Sequence, residues 1–195
     1  MTKKQIFIII IIVLVTFFGV SFYNAGVVLK TNVTNVESKY SKLDDYLKRR
    51  IEVGNSFYSI VRPLMPEQKN LFESLRHNNI QLASLKDVEE RSKANAALAG
   101  NINQITIIAK ENANVSRNES YRALLQEHLQ STALLARAAT EYNAAVDEYN
   151  QSLYRFPQSA IVPFKGYKPA SKFKMAEGNT YYRVGEAEQK PEERR

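Results

Sequence analysis

The sequence predicts an all-α fold: an antiparallel bundle of three to four long helices, preceded by one N-terminal transmembrane helix that is continuous with the first bundle helix. An uncharged apolar stretch at residues 6–23 predicts the transmembrane helix. Apolar residues at alternating steps of four and three, the heptad spacing of coiled coils, predict long helices at residues 22–47 and 121–156. No alternation of apolar and polar residues of comparable length predicts a strand.

The apolar stretch at residues 6–23 has the length that a membrane span requires. At about 1.5 Å per residue, a helix over these residues is roughly 27 Å long, close to the hydrocarbon thickness of a bilayer. A short basic N-terminus, residues 1–5, precedes it, and Tyr23 is expected at the headgroup level. Two alternatives stay open: a retained anchor, and a signal peptide cleaved near the small side chains of residues 19–21.

Turn-forming residues predict where the first bundle helices end. The anchor and the first bundle helix are predicted as one helix from about residue 5 to residue 53, ended by Gly54-Asn55. Pro66 is expected to open the second helix, which the polar residues 77–79 then end. Residues 24–156 together form the predicted bundle domain.

Two further signals delimit the later helices. Residues 84–87 fit a capping box for a helix that reaches about residue 112. The last helix is predicted over residues 121–156, and Pro157 ends it because proline cannot continue a helix. The tail at residues 175–195 is polar and mixed in charge, which predicts disorder.

Composition excludes several kinds of chemistry. The 195 residues include no cysteine, so the chain has no disulfide, no thiolate metal site and no cysteine nucleophile. The net charge of +7 suits either nucleic acid or an anionic membrane surface. The predicted anchor favours the membrane, and nucleic acid is not expected as a partner. The metal, phosphate-loop and serine-elbow motifs are absent, so no cofactor and no metal are expected.

His128 is the candidate for catalysis. It falls on the apolar face of the last helix, which favours a packed core histidine and a chain without enzymatic activity. The alternatives are a bundle enzyme or metal-dependent hydrolase that uses His128 with nearby carboxylates, and a peptide-binding module with a groove between helices.

Paired Tyr-Asn motifs, followed by Phe-Pro and then by Gly-Tyr-Lys-Pro, resemble the C-terminal signature of the LemA family. A membrane segment that leads into Tyr-Asn and then into Leu-Lys-Arg-Arg is similar to the N-terminal half of that family. The residues that carry this resemblance in the two halves are Tyr23, Asn24, Leu47, Lys48, Arg49, Arg50, Tyr142, Asn143, Tyr149, Asn150, Phe156 and Pro157.

The resemblance implies a protein of the bacterial cell membrane, with a single N-terminal span and a bundle of long antiparallel helices. Tyr142 and Tyr149 are expected to bury their rings one heptad apart, while Asn143 and Asn150 bond to a neighbouring helix or fix its register. The expected role is interaction or scaffolding. The expected partners are the lipid bilayer, an unidentified membrane or envelope protein, and a second copy of the chain.

The segment at residues 157–174 interleaves aromatic and basic side chains and has no acidic residue. If the last helix returns antiparallel to the first, this segment lies near the bilayer and contacts its surface. The residues expected to make this contact are Phe164, Lys165, Tyr167, Lys168, Lys172, Phe173 and Lys174. Lysines flank the apolar stretch on both sides, so the side of the membrane on which the bundle lies stays open.

Overall fold

The computed structural model describes residues 2–175, and its helices confirm the predicted all-α fold: no strand occurs among these residues. A π-helix and two 3₁₀ turns, over residues 57–68, connect the first two α-helices. The predicted disordered tail lies outside the described residues, apart from Met175. The α-helices are α1 (Lys3–Ser56), α2 (Lys69–Ser84), α3 (Val88–Glu111), α4 (Ala113–Ser116), α5 (Glu119–Ser152) and α6 (Gln158–Lys165).

The chain folds into two compact units, and each unit combines separate stretches of sequence. Unit 1 contains the described residues up to Lys39 together with residues 143–171. Unit 2 contains residues 40–142 together with the described residues from 172 on. Helices α1 and α5 each contribute residues to both units.

Unit 1 has a small core between α1 and α5. Leu29 of α1 packs with Tyr149 and Leu153, which come from the end of α5 and the residue after it. The surrounding half-buried side chains come from α1, from α6 and from the stretch after α6; they are Val33, Val36, Ile161, Val162, Tyr167 and Ala170. The heptad spacing therefore identified the face of α1 and of α5 that is buried in this unit.

Unit 2 holds the larger core, and the same spacing describes it. Leu43 and Leu47 of α1 are fully buried, as are Phe72 and Leu75 of α2. Helix α3 contributes Leu98, Ile102, Ile105 and Ala109, and α5 contributes His128, Thr132, Leu135, Ala139 and Tyr142. Polar members of the α5 face are buried along with its apolar ones.

The two helix ends predicted at Gly54-Asn55 and at residues 77–79 were wrong. Helix α1 continues to Ser56 and α2 to Ser84. The Asn79 amide donates through Nδ2 to the carbonyl of Ile51 at 3.0 Å and to Oδ1 of Asn55 at 2.7 Å. Gly54 faces that amide, since a Cβ there would lie 2.7 Å from Oδ1 of Asn79. These residue types, which often end helices, here form the contact between α1 and α2.

The predicted capping box at residues 84–87 was also wrong in detail. Ser84 is the last residue of α2, and its hydroxyl donates to the carbonyl of Gln81 at 3.0 Å. The N-cap of α3 is Asp87, whose Oδ1 accepts from the backbone N–H groups of Glu89 and Glu90 at 2.9 and 3.0 Å. A carboxylate at this position also complements the positive end of the helix dipole. At the other end, α5 stops at Ser152, four residues before the predicted end.

The substitution Gly54→Ala is expected to destabilise unit 2 by about 1–3 kcal/mol, because the new methyl group must displace the buried, hydrogen-bonded Asn79 amide. The matched control is Gly100→Ala in α3, where a Cβ meets no atom within 4 Å. That change should stabilise the helix by up to about 1 kcal/mol. Chemical denaturation of the full chain in detergent measures both, and equal effects of the two substitutions would contradict this account.

Candidate membrane-boundary site

The N-terminal part of α1 is apolar on all sides. Every residue from Ile6 to Val20 is exposed. The helix is long and apolar enough to cross a membrane, judged by length and composition, and none of the apolar window is buried within the protein. Together with the helical fold, this stretch fits a membrane-anchored helical protein.

The residues that follow α5 lie beside the end of this apolar stretch. The rings of Phe22 and Phe156 meet edge to face, with centroids 6.3 Å apart. One turn further along α1, a Cβ at Gly26 would lie 3.9 Å from Cδ1 of Ile161 in α6. Helix α6 therefore packs on α1 directly after the apolar stretch ends.

Tyr149 and Asn150 hold the chain that leaves α6. The Tyr149 hydroxyl donates to the carbonyl of Lys168 at 2.8 Å. The Asn150 amide donates to the carbonyl of Ala170 at 2.9 Å, and its Oδ1 accepts from the Ala170 N–H at 2.8 Å. Burial, with the neighbouring Tyr167, raises the pKa of Tyr149, so its hydroxyl keeps its proton at neutral pH. Asn150 thus bonds to the main chain of the stretch that follows α6, so the predicted bond to a neighbouring helix was wrong.

Gly166 ends α6 and lets the chain turn into the stretch that follows. Its φ of 69° is in the left-handed region, and its N–H donates to the carbonyl of Val162 at 3.1 Å. A glycine adopts this helix-ending conformation without the steric cost that a Cβ would add. The Gly-Tyr-Lys-Pro motif therefore combines a helix stop at Gly166, a half-buried ring at Tyr167 and a main-chain acceptor at Lys168.

The first Tyr-Asn pair of α5 has different surroundings from the second. Tyr142 is buried in unit 2, where its ring contacts Tyr40 with centroids 5.7 Å apart. Burial raises the pKa of Tyr142 to about 12. Asn143 is half-buried, and at the far end of the chain both Tyr23 and Asn24 are exposed.

The charges of the Leu-Lys-Arg-Arg stretch are paired within unit 2. Lys48 lies 2.7 Å from the Asp44 carboxylate, and Arg49 lies 2.7 Å from the Glu127 carboxylate. Leu47 is fully buried, and Arg50 is buried as well. Arg49, with the buried Leu47 and Arg50, therefore joins this part of α1 to the rest of unit 2, and the two exposed cations of the stretch are paired with carboxylates.

His128 lies between a guanidinium and a phenyl ring. Its Nδ1 is 3.3 Å from Nη1 of Arg50, and its ring meets that of Phe57 edge to face at 5.7 Å. Because arginine is only a donor, Nδ1 must be the acceptor and the ring proton resides on Nε2. Burial, and then the charge of Arg50, lower the pKa of His128 to about 3.

The contacts of His128 can be compared with those that the hydrolase alternative assumes. The hydrolase alternative required carboxylates near His128, and its described contacts are Arg50 and Phe57 instead. In the part of the chain that the structure describes, no group of three or more histidines and carboxylates could hold a metal ion.

The structure separates the residues predicted to contact the membrane surface. Phe164 is 86% exposed, and Lys165 and Lys168 are exposed beside it in unit 1. Tyr167 instead packs against the core of unit 1. The prediction for Phe173 was wrong, because its ring is 1% exposed within unit 2.

The two remaining predicted contacts also belong to unit 2. Lys172 and Lys174 are exposed there, and the Lys174 N–H donates to the Ser92 hydroxyl at 3.0 Å. Sequence reasoning placed Phe156 on the apolar face of the last helix, but its ring is exposed because α5 ends before it; the exposed Tyr154 and Arg155 were missed. A signal for them existed: acidic residues are already absent after Glu148, well before Pro157.

The substitution His128→Gln tests the neutral, buried imidazole. His128 takes up its proton near pH 3 in the folded chain and near 6.5 when unfolded. The unfolded state binds the proton more readily between these values. The contribution of His128 to the free energy of unfolding is therefore complete above about pH 6.5 and is lost as the pH falls toward 3.

The difference in free energy of unfolding between wild type and His128→Gln should shrink as the pH falls through this window. Chemical denaturation of the full chain in detergent at a series of pH values measures it. His77→Gln, at an exposed histidine, is the control. A difference that does not change with pH would overturn the assignment.

Comparison with known proteins agrees with the motifs that this geometry explains. The model of the LemA family matches residues 39–184, which is most of the chain. No curated protein sequence matches the chain. The matched residues include the Leu-Lys-Arg-Arg stretch, both Tyr-Asn pairs of α5, Phe156-Pro157 and the Gly-Tyr-Lys-Pro motif. The chain therefore belongs to the LemA family.

Proposed function

We propose that this chain is a single-pass protein of the bacterial cell membrane whose helical bundle has a non-catalytic interaction or scaffolding role. One observation carries the proposal. Helix α1 exposes apolar side chains on every side from Ile6 to Val20, and the same helix supplies the buried Leu29 and Leu47 further along. Each Å² of apolar surface left in water costs about 25 cal/mol, so hydrocarbon is the favoured surroundings of this stretch.

The polar groups of the stretch are compatible with hydrocarbon. The helix satisfies its own backbone groups, as a membrane span must. The hydroxyl of Thr16 donates to the carbonyl of Ile12 at 2.8 Å, so this side chain needs no water. No charged side chain lies between Ile6 and Tyr23.

The non-catalytic role draws support from the buried polar residues. His128 is uncharged at neutral pH, inaccessible, and held by Arg50 and Phe57. The cations of the Leu-Lys-Arg-Arg stretch are paired with carboxylates or buried. These arrangements favour packing over chemistry. The exposed aliphatic side chains of unit 2, by contrast, offer apolar contacts to a protein partner; they are Ile80, Ile107 and Leu134.

Charged substitutions in the apolar stretch test the anchor. Lysine at Ile10 and at Leu14 should release the full chain from membranes, because each central lysine costs roughly 2.5–3.5 kcal/mol of insertion free energy. The matched control places lysine at Thr31 and Thr34, exposed positions of α1 beyond the stretch. Alkaline extraction of cell membranes, followed by intact-mass measurement, reports both retention and cleavage. A wild-type chain that lacks residues 1–23 or leaves the membrane would overturn the anchor.

Photo-crosslinking in intact membranes tests the interaction role. A photoreactive residue at Ile107, exposed on α3, should give a discrete adduct with another membrane or envelope protein or with a second copy of the chain. The control is the same probe at Lys110, one turn away and also exposed. If probes at Ile107, Ile80 and Leu134 all yield only the background seen at Lys110, the interaction role is not supported.

A further inference from the structure

Exposed aromatic rings are confined to one region of the described chain. Each exposed Phe or Tyr side chain lies either in α1 up to Tyr23 or in the stretch from Tyr154 to Phe164. In unit 2, the described Phe and Tyr side chains are buried or half-buried. Tyr154, Phe156 and Phe164 are 76%, 69% and 86% exposed. Rings with this distribution are typical of a membrane interface, where aromatic side chains favour the headgroup level.

The same stretch carries charge of one sign. Between Tyr149 and Met175 the sequence has no acidic residue. In unit 1 its basic residues are Arg155, Lys165 and Lys168, and all three are exposed. Arg155 bonds to the neutral amide of Gln151 at 3.0 Å. The exposed side of the stretch is therefore complementary to phosphate.

Helix α6 lies at the depth of lipid headgroups if residues 6–23 span the hydrocarbon. It packs on α1 near Gly26 and Leu29, about 4.5 Å and 9 Å beyond Tyr23 at 1.5 Å per residue. The headgroup layer on each side of a bilayer is roughly 5–8 Å thick. Phe156, beside Phe22, lies at the inner edge of this layer.

We propose that residues 154–168 form a lipid-binding segment that contacts the surface of an anionic bilayer. The rings of Tyr154, Phe156 and Phe164 lie at the boundary between acyl chains and headgroups, and the basic side chains of Arg155, Lys165 and Lys168 contact lipid phosphates. The hydrogen bonds of Tyr149 and Asn150 to the main chain at Lys168 and Ala170 attach the lipid-binding segment to α5. The proposal rests on the proposed membrane anchor and adds a lipid class and a second point of attachment.

A single fluorophore tests whether the lipid-binding segment lies at the bilayer surface. The chain has no tryptophan, so Phe164→Trp gives a unique indole at an exposed position. The full-length variant is reconstituted into phosphatidylcholine vesicles with and without phosphatidylglycerol, and lipids with brominated acyl chains serve as quenchers. The indole at position 164 should be quenched and blue-shifted, most strongly in the anionic vesicles. The matched control is Ser38→Trp, exposed on the same α1 about 22 Å beyond Tyr23, which should not be quenched.

Replacing Lys165 and Lys168 with glutamine tests the charge contribution. In the Phe164→Trp background and anionic vesicles, the ratio of quenched to unquenched lifetime populations should fall about fivefold for each lysine removed. The control replaces Lys69 and Lys110, two exposed lysines of unit 2, and should leave the ratio unchanged. Equal quenching in zwitterionic and anionic vesicles, or an unchanged ratio after both Lys165 and Lys168 are replaced, overturns the anionic-lipid assignment.

Alkaline extraction of the same vesicles separates the two proposals. A chain that leaves the vesicles contradicts the anchor. If the chain stays in the vesicles but the indole of Phe164→Trp is quenched no more than that of Ser38→Trp, the proposed lipid-binding segment is contradicted. The proposed anchor is then still supported.

Discussion

Helix α1 changes its surroundings near Tyr23 without ending, and both units are built on it. From Ile6 to Val20 its side chains are uncharged, nearly all apolar and exposed all round, and from Ala25 on one face is buried. A helix can make this change because its backbone hydrogen bonds are internal, so only the side chains need to match the surroundings. The heptad spacing after residue 22 selects the buried face, and α5 supplies the matching face opposite it in each unit.

Short polar side chains provide the specific contacts that apolar packing leaves undetermined. Asn150 fixes the main chain at Ala170, Asn79 fixes α2 on α1, and Asp87 starts α3. In each case the side chain bonds to backbone groups, at least in part. Leucines can slide along one another at little cost, whereas a buried amide that loses its partner costs about 1–3 kcal/mol. Asn79 therefore sets the register of α2 on α1, Asn150 positions the stretch after α6, Asp87 fixes the start of α3, and the apolar faces supply most of the burial.

Structural features with a periodic sequence signal could be predicted from the sequence. Features that depend on a contact between residues distant in the sequence could not. The apolar run and the heptads of α1 and α5 repeat over many residues, so the helix type and the buried faces followed from them. Gly54-Asn55 and residues 77–79 have the composition of helix ends. In the structure the Asn79 amide instead packs against Gly54 and bonds to Asn55. Phe173, flanked by lysines, resembled an interfacial ring, but its burial depends on a core that is remote in sequence. Local composition could not distinguish these cases, because the contact partner lies tens of residues away.

The pairing of Asn150 with Ala170 has a consequence for sequence variation. Both bonds at position 170 use the main-chain N–H and carbonyl, so the side chain there takes no part in them. These two bonds therefore exclude only proline at position 170, because it has no N–H, and the packing of Ala170 against the core of unit 1 is what limits the size of the side chain there. Position 150 is far more restricted, because only a side-chain amide of that length both donates and accepts there; aspartate would supply the acceptor and lose the donor. One contact thus imposes a strict requirement on one residue and almost none on the other.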